Sequence, residues 1–207
     1  MKHGIIYVHG KGGSAAEAAH YRPLFPNAEV IGFDYRAQTP WAARAEFPPF
    51  FAEQRRHYDR ITLIANSIGA FFAMSALDAA LIDEARFISP VVDMENLIGN
   101  MMRWANVTER ELAEKQEIPT QFGETLSWSY LCYVRAHPIV WQVPTRILYG
   151  AHDNLTDLKT ITAFAEHVNA ALTIMPDGEH WFHTEKQMRF LDDWINENSQ
   201  AGSARGQ

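Results

Sequence analysis

Cysteine is almost absent from this chain, because Cys132 is the only one among 207 residues. A single cysteine cannot form an intrachain disulfide, which fits a reducing compartment, so we expect a cytoplasmic protein. The aromatic residues around Cys132 predict that it is buried as a small apolar side chain. One cysteine also excludes Cys₄ and Cys₂His₂ zinc sites, and none of the nine histidines belongs to a His-Glu-x-x-His motif. We therefore expect no metal and no cofactor.

Long apolar runs and runs of basic residues are also missing. No window approaches the roughly 18 consecutive apolar residues of a membrane span. The N-terminal apolar stretch is too short for the core of a signal peptide. The net charge of −7 and the scattered Lys and Arg residues argue against a nucleic-acid partner. Neither common glycine-rich nucleotide motif is present. The sequence leaves the oligomeric state open.

Short apolar segments alternate with helical patterns over most of the chain, and 47% of the residues are hydrophobic. Strands are predicted over residues 4–9, 28–33, 61–65, 85–89, 145–149 and 171–175. Helices are predicted over residues 14–25, 40–58, 68–81, 155–169 and 181–196. Pro48 and Pro49 should break or restart the second helix. The alternation favours a three-layer α/β architecture, with helices on both faces of a sheet of about six mostly parallel strands.

One interval, residues 91–143, interrupts this rhythm. It has no clear strand pattern, but Thr108 and Glu111 form a capping box at the start of a helical segment. The interval is rich in methionine and aromatic residues. We expect one domain over residues 1–199, with a small helical cap over residues 91–143 and a disordered tail over residues 200–207.

Three polar residues follow predicted strands. In ITLIANSIGA, residues 61–70, an apolar strand leads to Ser67 and then directly into a helix. Asp153 and His180 stand just beyond two later strands. Because ligands of such sheets bind at the carboxyl ends of the strands, we expect these three side chains to lie close together. The alternative for Ser67 is an ordinary helix N-cap.

The segment Ala65-Asn66-Ser67-Ile68-Gly69 resembles the nucleophile elbow of the α/β-hydrolase family, commonly Gly-x-Ser-x-Gly. Alanine replaces the first glycine, which keeps the flanking position small. The chain order Ser, Asp, His also matches the family, and the resemblance extends from Ile5 to Trp194. It implies the α/β-hydrolase fold, without the antiparallel strands that begin many members.

The resemblance also implies roles for individual residues. Ser67 would be the nucleophile, His180 the general base, and Asp153 the carboxylate that orients the histidine. The backbone N–H groups of Lys11 and Ile68 would form the oxyanion hole.

Neighbouring residues compete for two of these roles. Asp157 and Asp34 are alternatives to Asp153, but Asp153 stands directly at a strand exit, whereas Asp157 falls in a first helical turn. His183 is the alternative to His180. His180 ends a loop before the last helix, where family members usually carry the histidine.

The expected reaction is hydrolysis of a carboxylic ester or thioester in a small-molecule acyl substrate, through an acyl-enzyme. A triad alone does not identify the bond, so an amidase, a peptidase or a C–C bond hydrolase remains an alternative. The other alternative is a non-catalytic small-molecule binding protein on a hydrolase fold.

Overall fold

The computed structural model describes the backbone of residues 1–203 and the side chains of residues 1–197. The strands are β1 His3–Val8, β2 Glu29–Gly32, β3 Arg60–Asn66, β4 Glu84–Ile88, β5 Glu117–Pro119, β6 Thr125–Ser127, β7 Thr145–His152 and β8 Ala171–Glu179. The helices are a 3₁₀ helix Ala15–Leu24, then α1 Pro40–His57, α2 Ile68–Ala76, α3 Met94–Trp104, α4 Glu109–Lys115, α5 Trp128–Ala136, α6 Leu158–His167 and α7 Glu185–Ser203.

Six strands form one sheet in the order β2-β1-β3-β4-β7-β8. Every neighbouring pair in it is parallel, which confirms the predicted sheet. The chain first runs outward from β1 to β2 and then crosses back to β3. The strand order therefore reverses between β1 and β3, and a crevice for a ligand is expected at their carboxyl ends.

The sheet is buried on both faces, as its continuous apolar strands require. On one face, Ile6 belongs to a core cluster with Phe47 and Phe51 of α1. On the other face, Ile5 packs in a second cluster with Trp194 of α7. Successive residues of a strand thus serve opposite layers.

Helix α1 corrects one prediction, because Pro48 and Pro49 lie inside it without ending it. An interior proline removes a backbone hydrogen bond and costs roughly 3 kcal/mol. Phe47 and Phe51 on the same helix are 0% exposed. Burying each phenylalanine contributes roughly 1.5–3 kcal/mol, so tertiary packing offsets the local penalty.

Two helix boundaries also differ from the sequence pattern. Helix α2 ends at Ala76 rather than near residue 81, because the Asp78 side chain accepts the Ala80 N–H at 2.8 Å and forms a turn. Strand β8 continues to Glu179, and α7 begins only at Glu185. Gly150 and Gly178 allow this longer pairing of β7 with β8, since a Cβ on Gly150 would lie 2.5 Å from the Gly178 carbonyl.

The segment between β4 and β7 contains α3, α4, α5 and a short antiparallel hairpin of β5 and β6. The prediction that this segment contains no strands is therefore wrong. Each of these strands has three residues, too few for alternation to be visible, and the turn depends on Gly123 at φ +84. Leu112, Leu126 and Leu131 anchor the segment in the main core.

The structure also corrects the predictions for Cys132 and for the start of the C-terminal tail. Cys132 is exposed rather than buried, because its neighbour Leu131 takes the inward face of α5 and the next residue is rotated toward solvent. The predicted tail begins at residue 200, but α7 is helical to Ser203; residues 204–207 lie outside the described residues. No helix in the described part of the chain is long and apolar enough to cross a membrane.

The junction between β3 and α2 depends on Gly69. A Cβ at this position would lie 2.3 Å from the His9 carbonyl oxygen and 3.0 Å from Val8 Cγ1. Val8 is the last residue of β1 and His9 follows it directly, so any larger residue would push α2 away from the sheet. The sequence pattern of a small residue at this place has a direct steric cause.

We predict that Gly69→Ala lowers the free energy of unfolding by roughly 1–3 kcal/mol through overpacking. Gly99→Ala is the matched control. A Cβ on Gly99, in the middle of α3, meets only Arg103 Nη1 at 3.8 Å, so this substitution should stabilise the protein by roughly 0.5–1 kcal/mol. Urea unfolding measures both, and equal effects of the two substitutions would contradict the steric account.

Candidate active site

Ser67 adopts a strained backbone conformation with φ 52 and ψ −121. Non-glycine residues rarely have positive φ, and such strain persists only where the surroundings fix it. The Ser67 N–H donates to the Ile88 carbonyl at 3.0 Å, and its own carbonyl accepts from Val91 N–H at 3.2 Å. The strained turn is therefore held by the strand and loop beside it.

The side chain of Ser67 does not act as a helix cap. Ser67 occupies the N-cap position of α2 but makes no side-chain capping bond there. Thr108 and Ser127, by contrast, each accept a capping N–H from their own helices. The ordinary-cap alternative for Ser67 is thus excluded by its hydrogen bonding.

The Ser67 hydroxyl instead faces His180. Ser67 Oγ lies 2.8 Å from His180 Nε2, and His180 Nδ1 lies 2.7 Å from Asp153 Oδ2. A carboxylate can only accept, so Nδ1 carries the proton in the neutral ring and Nε2 accepts from the hydroxyl. The side chain of Asp153 is 0% exposed and that of His180 is 16% exposed. Hydroxyl, imidazole and carboxylate therefore form one continuous, largely buried chain.

Backbone amides fix the carboxylate of Asp153. Its second oxygen, Oδ1, accepts from Leu155 N–H at 2.8 Å and from Thr156 N–H at 3.1 Å. One oxygen therefore faces the loop while the other faces His180. This arrangement satisfies a buried charge and sets its direction.

The alternative residues lie elsewhere. Asp157 is the N-cap of α6 and accepts from Thr160 N–H at 2.7 Å, and Asp34 is exposed. The ring of His183 is exposed, and its Nδ1 lies 2.7 Å from the carbonyl of Trp181. Of the candidates, the structure brings together Ser67, His180 and Asp153; their chemical role remains a prediction.

The loop after β1, residues 9–14, lies against the elbow and is called here the β1 loop. A Cβ on Gly10 would lie 3.2 Å from Ser67 Cβ. The loop turns back through a Gly13 N–H bond to the Gly10 carbonyl at 3.2 Å, with Gly12 at φ 75. The backbone N–H groups of Lys11 and Ile68 have no protein acceptor within residues 1–197. Both amides are available to a ligand, and that of Ile68 opens a helix, where the dipole favours negative charge.

Solved structures of other proteins share this architecture. No family model matches the chain, and no curated protein sequence matches it. Alpha/beta hydrolase domain-containing protein 10 from mouse superposes with a TM-score of 0.75 at 16% identity, over 96% of this chain and 90% of that one. The chain has the α/β-hydrolase fold.

Two further structures illustrate the breadth of this fold. Est1E from Butyrivibrio proteoclasticus gives a TM-score of 0.72 at 16% identity, over 98% of this chain and 88% of its own. The esterase PF2001 from Pyrococcus furiosus gives 0.61 at 18% identity, over 96% and 81%. The α/β-hydrolase fold expected from the elbow and the order of polar residues is thereby confirmed.

Sequence reasoning missed two polar residues beside the site. The Tyr7 hydroxyl donates to Glu17 Oε2 at 2.5 Å, and Glu17 Oε1 accepts from the Ser14 N–H at 3.2 Å. The Ser14-x-x-Glu17 spacing is that of a capping box, which explains the second contact but not the first. Tyr7 gave no signal, because a tyrosine inside an apolar strand resembles an ordinary core residue.

Two other features of this α/β-hydrolase fold lie outside the Ser67–His180–Asp153 chain. A cavity of about 380 Å³ is lined by residues that include Arg44, Asp78 and His137. Ser67, His180 and Asp153 are not among its lining residues. Within residues 1–197, no cluster of His, Cys, Asp and Glu side chains is arranged to hold a metal.

We predict that Asp157→Ala lowers the free energy of unfolding by about 1 kcal/mol, the usual loss for an N-cap, and leaves the Asp153 contacts intact. The hydrogen bonds from Thr160, the backbone amide first, hold the pKa of Asp157 below its ordinary value. A carboxyl group whose pKa is lowered on folding stabilises the protein at pH values above its unfolded-state pKa. This stabilisation is lost as the pH falls through the folded-state pKa. The difference in the free energy of unfolding between Asp157→Ala and the wild-type protein should therefore become smaller toward acidic pH. Thermal unfolding of both proteins over a series of pH values measures this difference.

Proposed function

We propose that the protein is a serine hydrolase that cleaves a carboxylic ester or thioester through an acyl-enzyme on Ser67. The main support is the chain of contacts from Ser67 Oγ to His180 at 2.8 Å and from His180 to Asp153 at 2.7 Å. This is the geometry in which a base can activate a hydroxyl that hardly ionises on its own. One solved structure with the same fold, PF2001, is an esterase.

In the first step, Ser67 Oγ attacks the acyl carbon while His180 Nε2 takes the hydroxyl proton. Asp153 stabilises the resulting imidazolium and keeps the ring in the orientation required for the transfer. The developing oxyanion accepts from the N–H groups of Lys11 and Ile68. Removing one such donor typically lowers kcat by a factor of about 10² to 10³.

Collapse of the tetrahedral intermediate breaks the bond to the alcohol or thiol. His180 returns its proton to that leaving group, and the acyl group stays on Ser67. Water then attacks the acyl carbon with His180 again as base, and the carboxylic acid leaves as Ser67 recovers its proton. No cofactor is needed, because every proton that His180 takes is given back within the cycle.

We also propose that residues 1–199 are one domain in which residues 91–143 act as a cap over the site. The support is a contact between the two parts: Lys11 Nζ, on the β1 loop, binds the carboxylate of Glu124 at the tip of the β5–β6 hairpin. Both side chains are partly exposed, so the ion pair itself contributes at most about 1 kcal/mol. Its effect is to hold the hairpin beside the residue that supplies an oxyanion-hole amide.

We predict that Ser67→Ala abolishes hydrolysis and changes the free energy of unfolding by less than about 1 kcal/mol, since one hydroxyl is lost. A panel of p-nitrophenyl esters, acyl-CoA thioesters and anilides measures activity and identifies the bond. Fluorophosphonate labelling reports whether the hydroxyl is activated.

Ser75→Ala is the matched control, because its hydroxyl lies on the same helix and donates only to the Phe71 carbonyl at 2.8 Å. It should keep both activity and labelling. A wild-type protein that is accessible at Ser67 yet takes no label and cleaves nothing would favour the binding-protein alternative.

We predict that His180→Ala lowers kcat by about 10³-fold or more, because the base is lost. His183→Ala should keep most of the activity, since the His183 ring is exposed and its Nδ1 lies 2.7 Å from the Trp181 carbonyl. Steady-state kinetics on the best ester of the panel compares the two. An inactive His183 variant beside an active His180 variant would refute the assignment of the base.

A further inference from the structure

Tyr7 and Glu17 connect the β1 loop to the strand behind it. Tyr7 is the penultimate residue of β1 and is 2% exposed. Its hydroxyl donates to one oxygen of Glu17 at 2.5 Å, and the other oxygen of Glu17 accepts from the Ser14 N–H at 3.2 Å. The carboxylate therefore joins the end of the loop to a residue fixed in the central sheet.

The same tyrosine reaches the strand that carries the elbow. Tyr7 is paired with Ile64 of β3, and Asn66 lies two residues farther on, so its side chain shares the same face of the sheet. The Asn66 side chain acts on the Tyr7 hydroxyl, whose pKa it lowers. Asn66 immediately precedes Ser67. Hydrogen bonds therefore join the β1 loop through Glu17 to Tyr7, and strand pairing joins Tyr7 to β3, which leads into the elbow.

The hydroxyl of Tyr7 is a permanent donor in this chain. Burial, followed by the neighbouring Tyr21 and the hydrogen bond to Glu17, raises the pKa of Tyr7 above its ordinary value. The hydroxyl therefore keeps its proton at neutral pH and can donate to Glu17. The contact with Glu17 is a charge-assisted hydrogen bond, which is stronger than a neutral one.

Steric contact adds to these hydrogen bonds. A Cβ on Gly13 would lie 2.6 Å from Glu17 Oε1, so the carboxylate fills the space directly behind the loop. On its other side the loop contacts Ser67 through Gly10. The β1 loop is therefore held between Glu17 and the elbow, with Lys11 at its turn.

A capping role alone does not account for this arrangement. A capping box needs only the bond between Glu17 and the Ser14 N–H. The hydroxyl of Tyr7 is an additional contact, because it bonds to the oxygen of Glu17 that the Ser14 N–H does not use. What the bond to Tyr7 adds is a fixed distance between the β1 loop and β1, the strand that pairs with β3.

We propose that Tyr7 and Glu17 are positioning residues that set the spacing between the two oxyanion-hole amides, Lys11 N–H on the β1 loop and Ile68 N–H on the elbow. This rests on the proposed function. Two donors stabilise a tetrahedral intermediate only if both point at the same oxygen, and a displacement of about 1 Å can lower the rate by about 10²-fold. The ground-state carbonyl depends less on that spacing.

The test compares Tyr7→Phe, Glu17→Gln and the matched control Tyr21→Phe. Tyr21 is also buried and packs on Tyr7 with ring centroids 5.2 Å apart. Within residues 1–197 its hydroxyl makes no hydrogen bond to Glu17 or to the β1 loop. All three variants are assayed on one p-nitrophenyl ester for kcat and KM, and for the inhibition constant of an alkylboronic acid, which forms a tetrahedral adduct with an activated serine. Urea unfolding is recorded in parallel.

We expect Tyr7→Phe and Glu17→Gln to lower kcat by about tenfold to a hundredfold and to leave KM within about threefold. The inhibition constant of the boronic acid should rise in proportion to the fall in kcat/KM, because the adduct mimics the intermediate. Tyr21→Phe should retain wild-type values. The double variant should be little worse than either single one, since both residues act through one chain of contacts.

Unchanged kcat in both variants would overturn the proposal while leaving the proposed function standing. It would equally be overturned if kcat and stability fell, KM rose and the boronic acid bound as in wild type, because that pattern belongs to general loosening. Glu17 is exposed, so Glu17→Gln remains informative if Tyr7→Phe folds poorly. A wild-type protein that neither hydrolyses the ester nor binds the boronic acid would instead refute the proposed function, and this inference with it.

Discussion

The close approach of α2 to the end of β1 is the constraint on which the rest of the site depends. Gly69 leaves no room for a side chain against the His9 carbonyl, so the chain must turn sharply as it leaves β3. That turn forces Ser67 to a positive φ and directs its hydroxyl away from the helix it precedes. A serine in ordinary geometry here would cap α2. The packing of a strand against a helix thus converts a structural serine into one whose hydroxyl faces an imidazole.

Parallel strands bring the remaining groups to the same edge. His180 and Asp153 arrive from β8 and β7, on the far side of β4 from Ser67, yet all meet because every strand of the sheet ends in the same direction. Each polar group is then oriented by something rigid: backbone amides hold Asp153, Asp153 holds His180, and the β1 loop rests on Glu17. Preorganisation of this kind, rather than unusual chemistry in any one side chain, is the basis of the acyl transfer that we propose.

The sequence predicted the features that have short-range causes. Continuous apolar strands and the small residues around Ser67 were sufficient for the sheet and the elbow. Predictions failed where distant packing decides: buried Phe47 and Phe51 keep α1 intact across two prolines, and the pairing of Gly150 with Gly178 extends β8. The contact between Tyr7 and Glu17 could not be predicted, because nothing in the sequence indicates which residue a buried tyrosine hydroxyl will bind. The meeting of Ser67, His180 and Asp153 was predictable only through chain order and strand ends.

Intact-protein mass spectrometry of a rapidly quenched reaction tests the central claim most directly. With an activated ester such as a p-nitrophenyl ester, the account predicts a transient gain equal to the mass of the acyl group, located by proteolysis on the peptide that contains Ser67. The adduct should be absent from Ser67→Ala and should decay at the rate of turnover. Hydrolysis that proceeds in the wild-type protein without any acyl group on Ser67, or with the group on another residue, would contradict the account.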